Sequence, residues 1–390
     1  MSQIVEVAVD SLCKYGEELC GDWAKVVSTA EDLIVALSDG LGSGVKANIL
    51  ATLTAEIATG MLEGGAAVDQ VVETLAETLP ECQVRHLAYA TFSILRIHRA
   101  RQAYLVEYDA PQMILVRKGK RLDFPATERT VSGRVIREAS FALETGDTLV
   151  LVSDGYIHAG VGGLYRFGWG RNNLATAVER WVATQGDAHE LAGALRRTCL
   201  KLSQNRPGDD ATAVVMRVRP RRRATVLTGP PANSSRDAEV IQRLMATGGR
   251  RIICGGTTAQ IAARELGRPL QVQWKPSNSA ISGAAPSRVP PPARLEGVDL
   301  VTEGILTLSA AVDHLKLSST AGAVPRATDA GGQLARLLLE ADEVHFLAGD
   351  AVNPSQLADV VRGRPMRQIY LDDLIGQLQR LKKIVTVEHF

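Results

Sequence analysis

Regular patterning begins at Leu33-Ile34-Val35-Ala36-Leu37, a short apolar run stopped by Ser38-Asp39-Gly40, which predicts a buried strand ending in a turn. Past the glycines of Leu41-Gly42-Ser43-Gly44, apolar side chains return at Val45, Ile49, Leu53, Ile57 and Met61. That spacing predicts a helix buried along one face. Gly64-Gly65 ends it, and a second helix is expected from Val68 to Leu79, stopped by Pro80. A run of strands follows at Tyr89 to His98, Ala103 to Tyr108 and Met113 to Arg117, with turn residues at Asp109-Ala110-Pro111 and Lys118-Gly119-Lys120. Thr148 to Val152 repeats the first pattern and runs into Ser153-Asp154-Gly155. Helical patterns cover Leu174 to Thr184 and Leu191 to Leu202, and Ala211 to Val218 reads as a closing strand. Hairpins mixed with paired helices predict a layered α+β sandwich instead of alternating βαβ units.

The rhythm changes near Ala224. Strand patterns at Thr225 to Thr228 and Arg251 to Cys254 alternate with helical patterns at Asp237 to Ala246 and from Gly255 through Leu266. Further strands are expected at Val298 to Val301, Glu343 to Leu347 and Ile384 to Val387, while residues 275–296, rich in Ser, Pro, Ala and Gly, read as an exposed excursion. Alternation of this kind predicts a smaller α/β domain with a parallel sheet. A length of 390 residues also favours two domains over one. The expected division is a first domain over 1–218, a basic, Pro-containing linker and first strand over 219–236, and the α/β domain over 224–390.

Composition narrows the partners. With 45% hydrophobic and 22% charged residues the chain is globular, and its net charge of +1 argues against nucleic acid as a partner. The basic cluster Arg217, Arg219, Arg221, Arg222 and Arg223 is read as a solvated domain junction. Cys13, Cys20, Cys82, Cys199 and Cys254 are odd in number and far apart, without the spacing of a disulfide framework or a zinc site. The first ten residues lack a basic-then-apolar signal pattern, and no run approaches the roughly 20 apolar residues that span a bilayer. The expectation is a cytoplasmic protein with no membrane partner; oligomeric state is not legible.

Four acidic residues stand in a recurring context: Asp22 in Cys20-Gly21-Asp22, Asp39, Asp154, and Asp209 in Gly208-Asp209-Asp210-Ala211-Thr212. Three of them sit where an apolar strand ends or begins, with glycine alongside. Rigid sheet holds such a carboxylate, and glycine lets backbone approach an ion. Hard divalent cations take carboxylate, carbonyl and water oxygens, and two ions about 3.5–4 Å apart can share a carboxylate and a water. Any one Asp-Gly after a strand is ordinarily just a turn; the ordered set is not ordinary.

That ordered set resembles the metal-dependent serine/threonine phosphatases of the protein phosphatase 2C superfamily, and most closely the bacterial SpoIIE type. The resemblance rests on Gly21-Asp22, on Ser38-Asp39-Gly40-Leu41-Gly42-Ser43-Gly44 leading into a helix, and on Tyr108-Asp109-Ala110-Pro111 before Met113 to Arg117. It rests equally on Gly146-Asp147 through Ser153-Asp154-Gly155 and on the closing Asp209-Asp210-Ala211-Thr212, covering residues 5 to 218. It implies a phosphatase 2C-like α-β-β-α sandwich and two Mn²⁺ or Mg²⁺ ions. Asp39 would bridge them, with the Gly40 carbonyl completing one shell. Asp154 and Asp209 would hold the other ion, and Asp22 would bind it directly or through water. Asp210 would support the ligands from behind. The implied reaction is hydrolysis of phosphoserine or phosphothreonine by in-line attack of a metal-activated water. The implied substrate is a small phosphorylated regulator of the STAS kind.

Departures from the superfamily are visible too. Val5 to Gly21 holds Lys14 but neither the Arg nor the His with which eukaryotic relatives grip phosphate and protonate the leaving group. Lys14, Arg166 and Arg171 are the candidate substrate-binding cations, the last two in the glycine-rich stretch from Gly160 to Asn173. His158 reads as a loop residue, His86 and His98 as structural. In the second domain Gly255-Gly256-Thr257-Thr258 is a candidate anion site at a helix N-terminus, although it lacks the P-loop and dinucleotide fingerprints. Glu303 and Asp350 follow expected strands, where α/β sheets place ligands. Two other readings stay open: a non-enzymatic phosphatase-like docking protein, and a small-ligand sensor whose main function lies in residues 224–390.

Overall fold

The computed structural model describes residues 3–78, 81–82, 87–88, 90–163, 165–184, 186–272, 289–321, 329–351, 360–361 and 364–390. The ends of two expected elements, Leu79 with Pro80 and Tyr89, lie outside the described residues, as do His86, position 164 of the glycine-rich loop and residues 275–288 of the Ser/Pro-rich stretch. The chain divides into two compact units, Met1–Pro220 and Arg221–Phe390.

In the first unit the strands are β1 (Gln3–Leu12), β2 (Asp22–Ser28), β3 (Asp32–Gly40), β4 (Ala90–His98), β5 (Gln102–Tyr108), β6 (Ile114–Arg117), β7 (Lys120–Arg121), β8 (Thr127–Val131), β9 (Arg134–Ala142), β10 (Thr148–Val152) and β11 (Ala211–Pro220). They form one sheet in the order β1-β11-β10-β6-β7 and another in the order β8-β9-β5-β4-β3-β2. Helices α1 (Gly44–Glu63) and α2 (Val68–Thr78) cover the second sheet; the short α3 (Asp154–Ile157), α4 (Arg171–Val182) and α5 (Ala188–Leu202) cover the first. The result is the expected α-β-β-α sandwich.

Side-chain alternation builds the layers. In β3, Ile34 and Ala36 meet Ala55, Leu62 and Leu75 of α1 and α2, whereas Val35 and Leu37 face the other sheet. In β10, Leu149 and Leu151 join Val35 and Leu37 between the sheets, while Val150 and Val152 pack on α4 and α5. Each sheet therefore contains a strand apolar on both faces, flanked by a strand on either side, which is why these two runs were conspicuous in the sequence.

The structure revises two expectations. Asp109-Ala110-Pro111 is not a turn between paired strands: β5 belongs to one sheet and β6 to the other, so these residues carry the chain across the sandwich. Neither Ser-Asp-Gly is a plain turn. Asp39 and Gly40 stay in β3, paired with Thr91 and Ala90, because the β3–β4 ladder runs to the end of the strand; Asp154 opens α3. β11 ends at Pro220 and the next strand starts at Arg223, leaving only Arg221 and Arg222 between. The basic cluster is ordered because acids answer it: Arg219 pairs with Glu6 at 3.5 Å, and Arg221 and Arg223 share Glu343 at 2.7 and 2.5 Å.

The second unit is a seven-stranded sheet. Its strands are β12 (Arg223–Thr228), β13 (Arg250–Cys254), β14 (Gln271–Val272), β15 (Ala293–Leu295), β16 (Val298–Thr302), β17 (Glu343–Ala348) and β18 (Ile384–His389), in the order β14-β15-β16-β13-β12-β17-β18. The five longer strands run parallel, as expected from the alternation of patterns. Helices α6 (Asp237–Ala246) and α7 (Gly256–Leu266) pack on one face. Helices α8 (Ile305–Ala321), α9 (Ala330–Glu340) and α10 (Met366–Arg380) pack on the other. Among the described residues no helix is long and apolar enough to cross a membrane.

Leu151 is fully buried between the two sheets of the first unit. Leu151→Ala is expected to destabilise that unit by about 2–5 kcal/mol, the usual cost of a cavity in a packed core. Urea unfolding followed by circular dichroism measures it; a loss within about 0.5 kcal/mol, typical of a surface site, would contradict the layer assignment.

Candidate metal centre

The site lies at the rim of the gap between the two sheets of the first unit, and strand register explains how its acids meet. On β2 and β3, Asp22 and Asp39 are direct cross-strand partners, on the same alternation as Ala24, Val26, Val35 and Leu37 facing that gap. Asp154 follows β10, and Asp209 and Asp210 precede β11, which is the neighbour of β10. Four chain segments far apart in sequence thus deliver carboxylates to one end of the sandwich.

Glycine makes the approach possible. A side chain on Gly40 would run into the Ala47 carbonyl oxygen, and one on Gly155 into that of Asp210. A Cβ on Gly21 would stand 2.8 Å from Asp210 Oδ2. The three glycines that flank the candidate ligands are therefore places where backbone and carboxylate close up without room for a methyl group.

Asp39, Gly40, Asp154 and Asp209 line one open cleft of about 820 Å³ together with Lys14 and Arg171. Asp22 and Asp210 stand behind it, only 2% and 3% exposed. Arg166 is not among the cleft-lining residues; its guanidinium lies over the Phe167 ring, 5.2 Å from the centroid. Arg171 donates to the backbone carbonyls of Gln112 and Met113 at 3.2 and 3.3 Å, bracing the chain just after the Asp109-Ala110-Pro111 crossing. His158 lines the cleft as an exposed residue, and His98 pairs with Asp32 at 2.8 Å on the far end of β4.

Two contributors escaped the sequence reading. Ser153 donates through Oγ to Asp22 Oδ2 at 2.7 Å and accepts from the Thr212 amide at 2.8 Å, so the serine of the second Ser-Asp-Gly orients the most buried acid. Asp109 lines the cleft with a φ of 47°. A non-glycine residue in the left-handed region is uncommon, and Asp tolerates it better than most. Its position just before Pro111 was the available signal. Asp210 accepts from the Lys14 amide at 2.9 Å, which ties the segment bearing Lys14 to the acidic cluster.

Electrostatics reflect the crowding. Burial, and then the charges of Asp22 and Asp154, push the Asp39 carboxyl up to about 9. Burial pushes Asp22 up to about 7 against the hydrogen bonds from Ser153 and Thr212. Burial and the charge of Asp154 raise Asp209 as well. Among the described residues no three His, Cys, Asp or Glu side chains are drawn tightly enough together to hold an ion as they stand. The donor set nonetheless fits hard divalent cations. It is all oxygen, and the buried atoms Asp22 Oδ1 and Asp210 Oδ2 have no hydrogen-bond partner, a costly state that a cation and its water would relieve.

Residues 29–219 match the family model described as Stage II sporulation protein E (SpoIIE). The N-terminal unit carries a SpoIIE-type domain. Asp39, Asp154 and Asp209 of the SpoIIE unit fall within the matched residues, and Lys14 and Asp22 precede them. Among solved structures, the chain is similar to the phosphatase domain and regulatory-domain fragment of the cell fate determinant SpoIIE from Bacillus subtilis. Identity is 21%, over 56% of this chain and 64% of that one, with a TM-score of 0.47. It is similar to the RsbU and RsbW domains of a Mycobacterium tuberculosis protein at 17% identity, over 62% and 68% of the two chains, with a TM-score of 0.47. It also resembles RsbX in complex with magnesium, at 20% identity over 55% and 95%, with a TM-score of 0.41. Comparison with curated proteins found no match.

The raised carboxyls give the SpoIIE unit a signed pH dependence. Asp39 and Asp22 keep protons when folded that they release near 3.8 when unfolded. Their contribution to metal-free stability is complete below that value and is lost as pH rises towards about 7 and 9. A cation that takes the place of those protons should therefore stabilise more at about pH 8.5 than at about pH 5.5. Thermal unfolding with Mn²⁺ and with chelator at both pH values measures this, and a metal-induced shift equal at the two would contradict the assignment.

Proposed function

We propose that the N-terminal unit is a metal-dependent protein phosphatase that hydrolyses phosphoserine or phosphothreonine on a small signalling protein. The observation that carries the reading is the convergence of Asp22, Asp39, Asp154 and Asp209 at the sandwich rim, where the only relief for their mutual repulsion is a cation or a proton. Membership of the SpoIIE family supports the reaction class. The STAS-type identity of the substrate rests on that resemblance alone.

In this reading Asp39, with the Gly40 carbonyl, Asp154 and Asp209 hold two Mn²⁺ or Mg²⁺ ions. Such ions, when bound, lower the pKa of water and neutralise charge on the phosphoryl group. The chain's own residues do the rest. Ser153 fixes the rotamer of Asp22, whose free oxygen faces the cluster from behind. Asp210 fastens the Lys14 backbone and so sets where the Lys14 ammonium enters the cleft, available to the phosphate. Arg171 fastens the crossing after Pro111 and shapes the opposite wall. An open cleft suits a phosphorylated side chain presented by a folded protein better than it suits an engulfed small molecule.

Hydrolysis of p-nitrophenyl phosphate and of a phosphoprotein, with Mn²⁺ and with chelator, tests the reading. Asp39→Asn is expected to lower kcat by more than about a hundredfold. Asp210→Asn should cost about 10–100-fold, the range of residues that support ligands without binding the ion. Full activity in chelator, or in Asp39→Asn, would overturn the two-ion reading. Metal binding without hydrolysis would favour a docking protein instead.

A further inference from the structure

The second unit has a site of its own. Its parallel strands lie in the order β16-β13-β12-β17-β18, which is third, second, first, fourth, fifth along the chain. The chain leaves β12 towards one edge and comes back on its other side. Sheets wound this way bind ligands beyond the carboxyl ends of the strands around that reversal. There the loops after three strands converge on glycine. A Cβ built on Gly255, after β13, would stand 3.9 Å from the Gly229 amide nitrogen, after β12, and one on Gly304, after β16, would stand 3.6 Å from the Gly255 Cα. Gly255 has a φ of 143°, open to glycine and to few other residues.

Helix α7 starts at this point, and its N-terminus is unanswered. Gly255 is the cap and offers no side-chain acceptor, and the first turn carries no acid. The first-turn amides of a helix have no partner within it and hold positive potential. An atom added to Gly256 would meet nothing within 4 Å, so there is open space beside the first residue of the helix.

A second feature points the same way independently of the helix. Thr258 is 2% exposed, yet its hydroxyl has no hydrogen-bond partner and stands 3.0 Å from where a Gly255 side chain would begin, aimed back over the cap. The hydroxyls of Thr228, the last residue of β12, and Thr307, in the first turn of α8, are likewise buried and unpartnered. Buried hydroxyls without partners are costly, and these three follow or end strands at the carboxyl side of the sheet, where an oxygen-rich ligand would relieve them. Arg367 supplies positive charge: its guanidinium occupies the space beside Gly229 and donates to the Gly349 and Ala351 carbonyls at 2.5 and 3.2 Å. The acids nearby are Asp350, which faces Arg367, and Glu303, which caps α8 through the Leu306 amide at 3.0 Å.

We propose that the second unit binds a phosphate monoester, with the phosphoryl oxygens on the first-turn amides of α7 and on the Thr258 hydroxyl. Glu303, at the end of the neighbouring strand, is placed to accept from a hydroxyl of the organic part. The site thus fits a nucleoside monophosphate or a sugar phosphate.

Isothermal titration of the full chain tests this, with chelator present so that no metal in the N-terminal unit can hold phosphate. The probes are inorganic phosphate, AMP and glucose 6-phosphate. At least one should bind saturably. Thr258→Val, which keeps the shape and removes the hydroxyl, and Gly256→Asp, which places an acid where a helix favours one but phosphate does not, should each weaken that binding tenfold or more. Thr258→Ser should retain it, and circular dichroism verifies the fold of every variant. AMP or glucose 6-phosphate binding more tightly than inorganic phosphate identifies the organic part; equal affinities mean that the phosphoryl group alone is held. No saturable binding of any probe, or binding undiminished in both Thr258→Val and Gly256→Asp, overturns the proposal.

Discussion

Repulsion among carboxylates at the rim of the sandwich governs the N-terminal unit. Folding moves Asp22 and Asp39 out of water and sets them side by side across a strand pair, where burial and mutual charge drive both towards the protonated form. Such an arrangement is unfavourable for a fold that needs nothing from it, because replacing the acids with neutral residues would remove the strain. The surroundings instead commit to it. Ser153, Thr212 and the Lys14 amide supply hydrogen bonds that hold the acids in place without neutralising them, and Gly21, Gly40 and Gly155 keep methyl groups out of the space between. Strain held in place by its neighbours is characteristic of sites that bind something.

How much of this was legible beforehand varied with distance along the chain. Asp39, Asp154 and Asp209 announced themselves because each stands beside glycine at the end of an apolar strand, a local signal that needs no knowledge of tertiary structure. The parallel sheet of the second unit was equally plain, since short β-branched runs alternated with helical spacing. Ser153 could not be seen, because its partner Asp22 is 131 positions away. Asp109 was hidden for a related reason: only the transfer of the chain from one sheet to the other brings it to the cleft. Strands β1, β2, β8 and β9 mix polar with apolar positions, and their pairing partners, not their own composition, make them strands. Helix α8 is apolar around most of its circumference and gave no clear face.

The two units place their chemistry by different means. The N-terminal unit uses the ends of antiparallel strands, so acids from separate segments meet because the ladders fix them in register. The C-terminal unit uses helix N-termini and strand ends on one edge of a parallel sheet, where backbone amides and hydroxyls are on offer instead of carboxylates. One arrangement collects negative charge and the other gathers donors, so the ligands that suit them are opposite in charge.

The pairing of β1 with β11 joins Gln3–Leu12 to Ala211–Pro220, almost the full length of the unit. Contacts of such sequence separation form slowly, since the entropy of closing a long loop must be met before the contact rewards it. During synthesis Asp22 and Asp39 emerge near the beginning, whereas Asp209 and the strand that positions it emerge at the end. A nascent chain therefore passes through a long interval with part of its acidic cluster and no complete site. The whole unit must emerge from the ribosome before the cluster can assemble, which ties completion of the acidic site to completion of the fold.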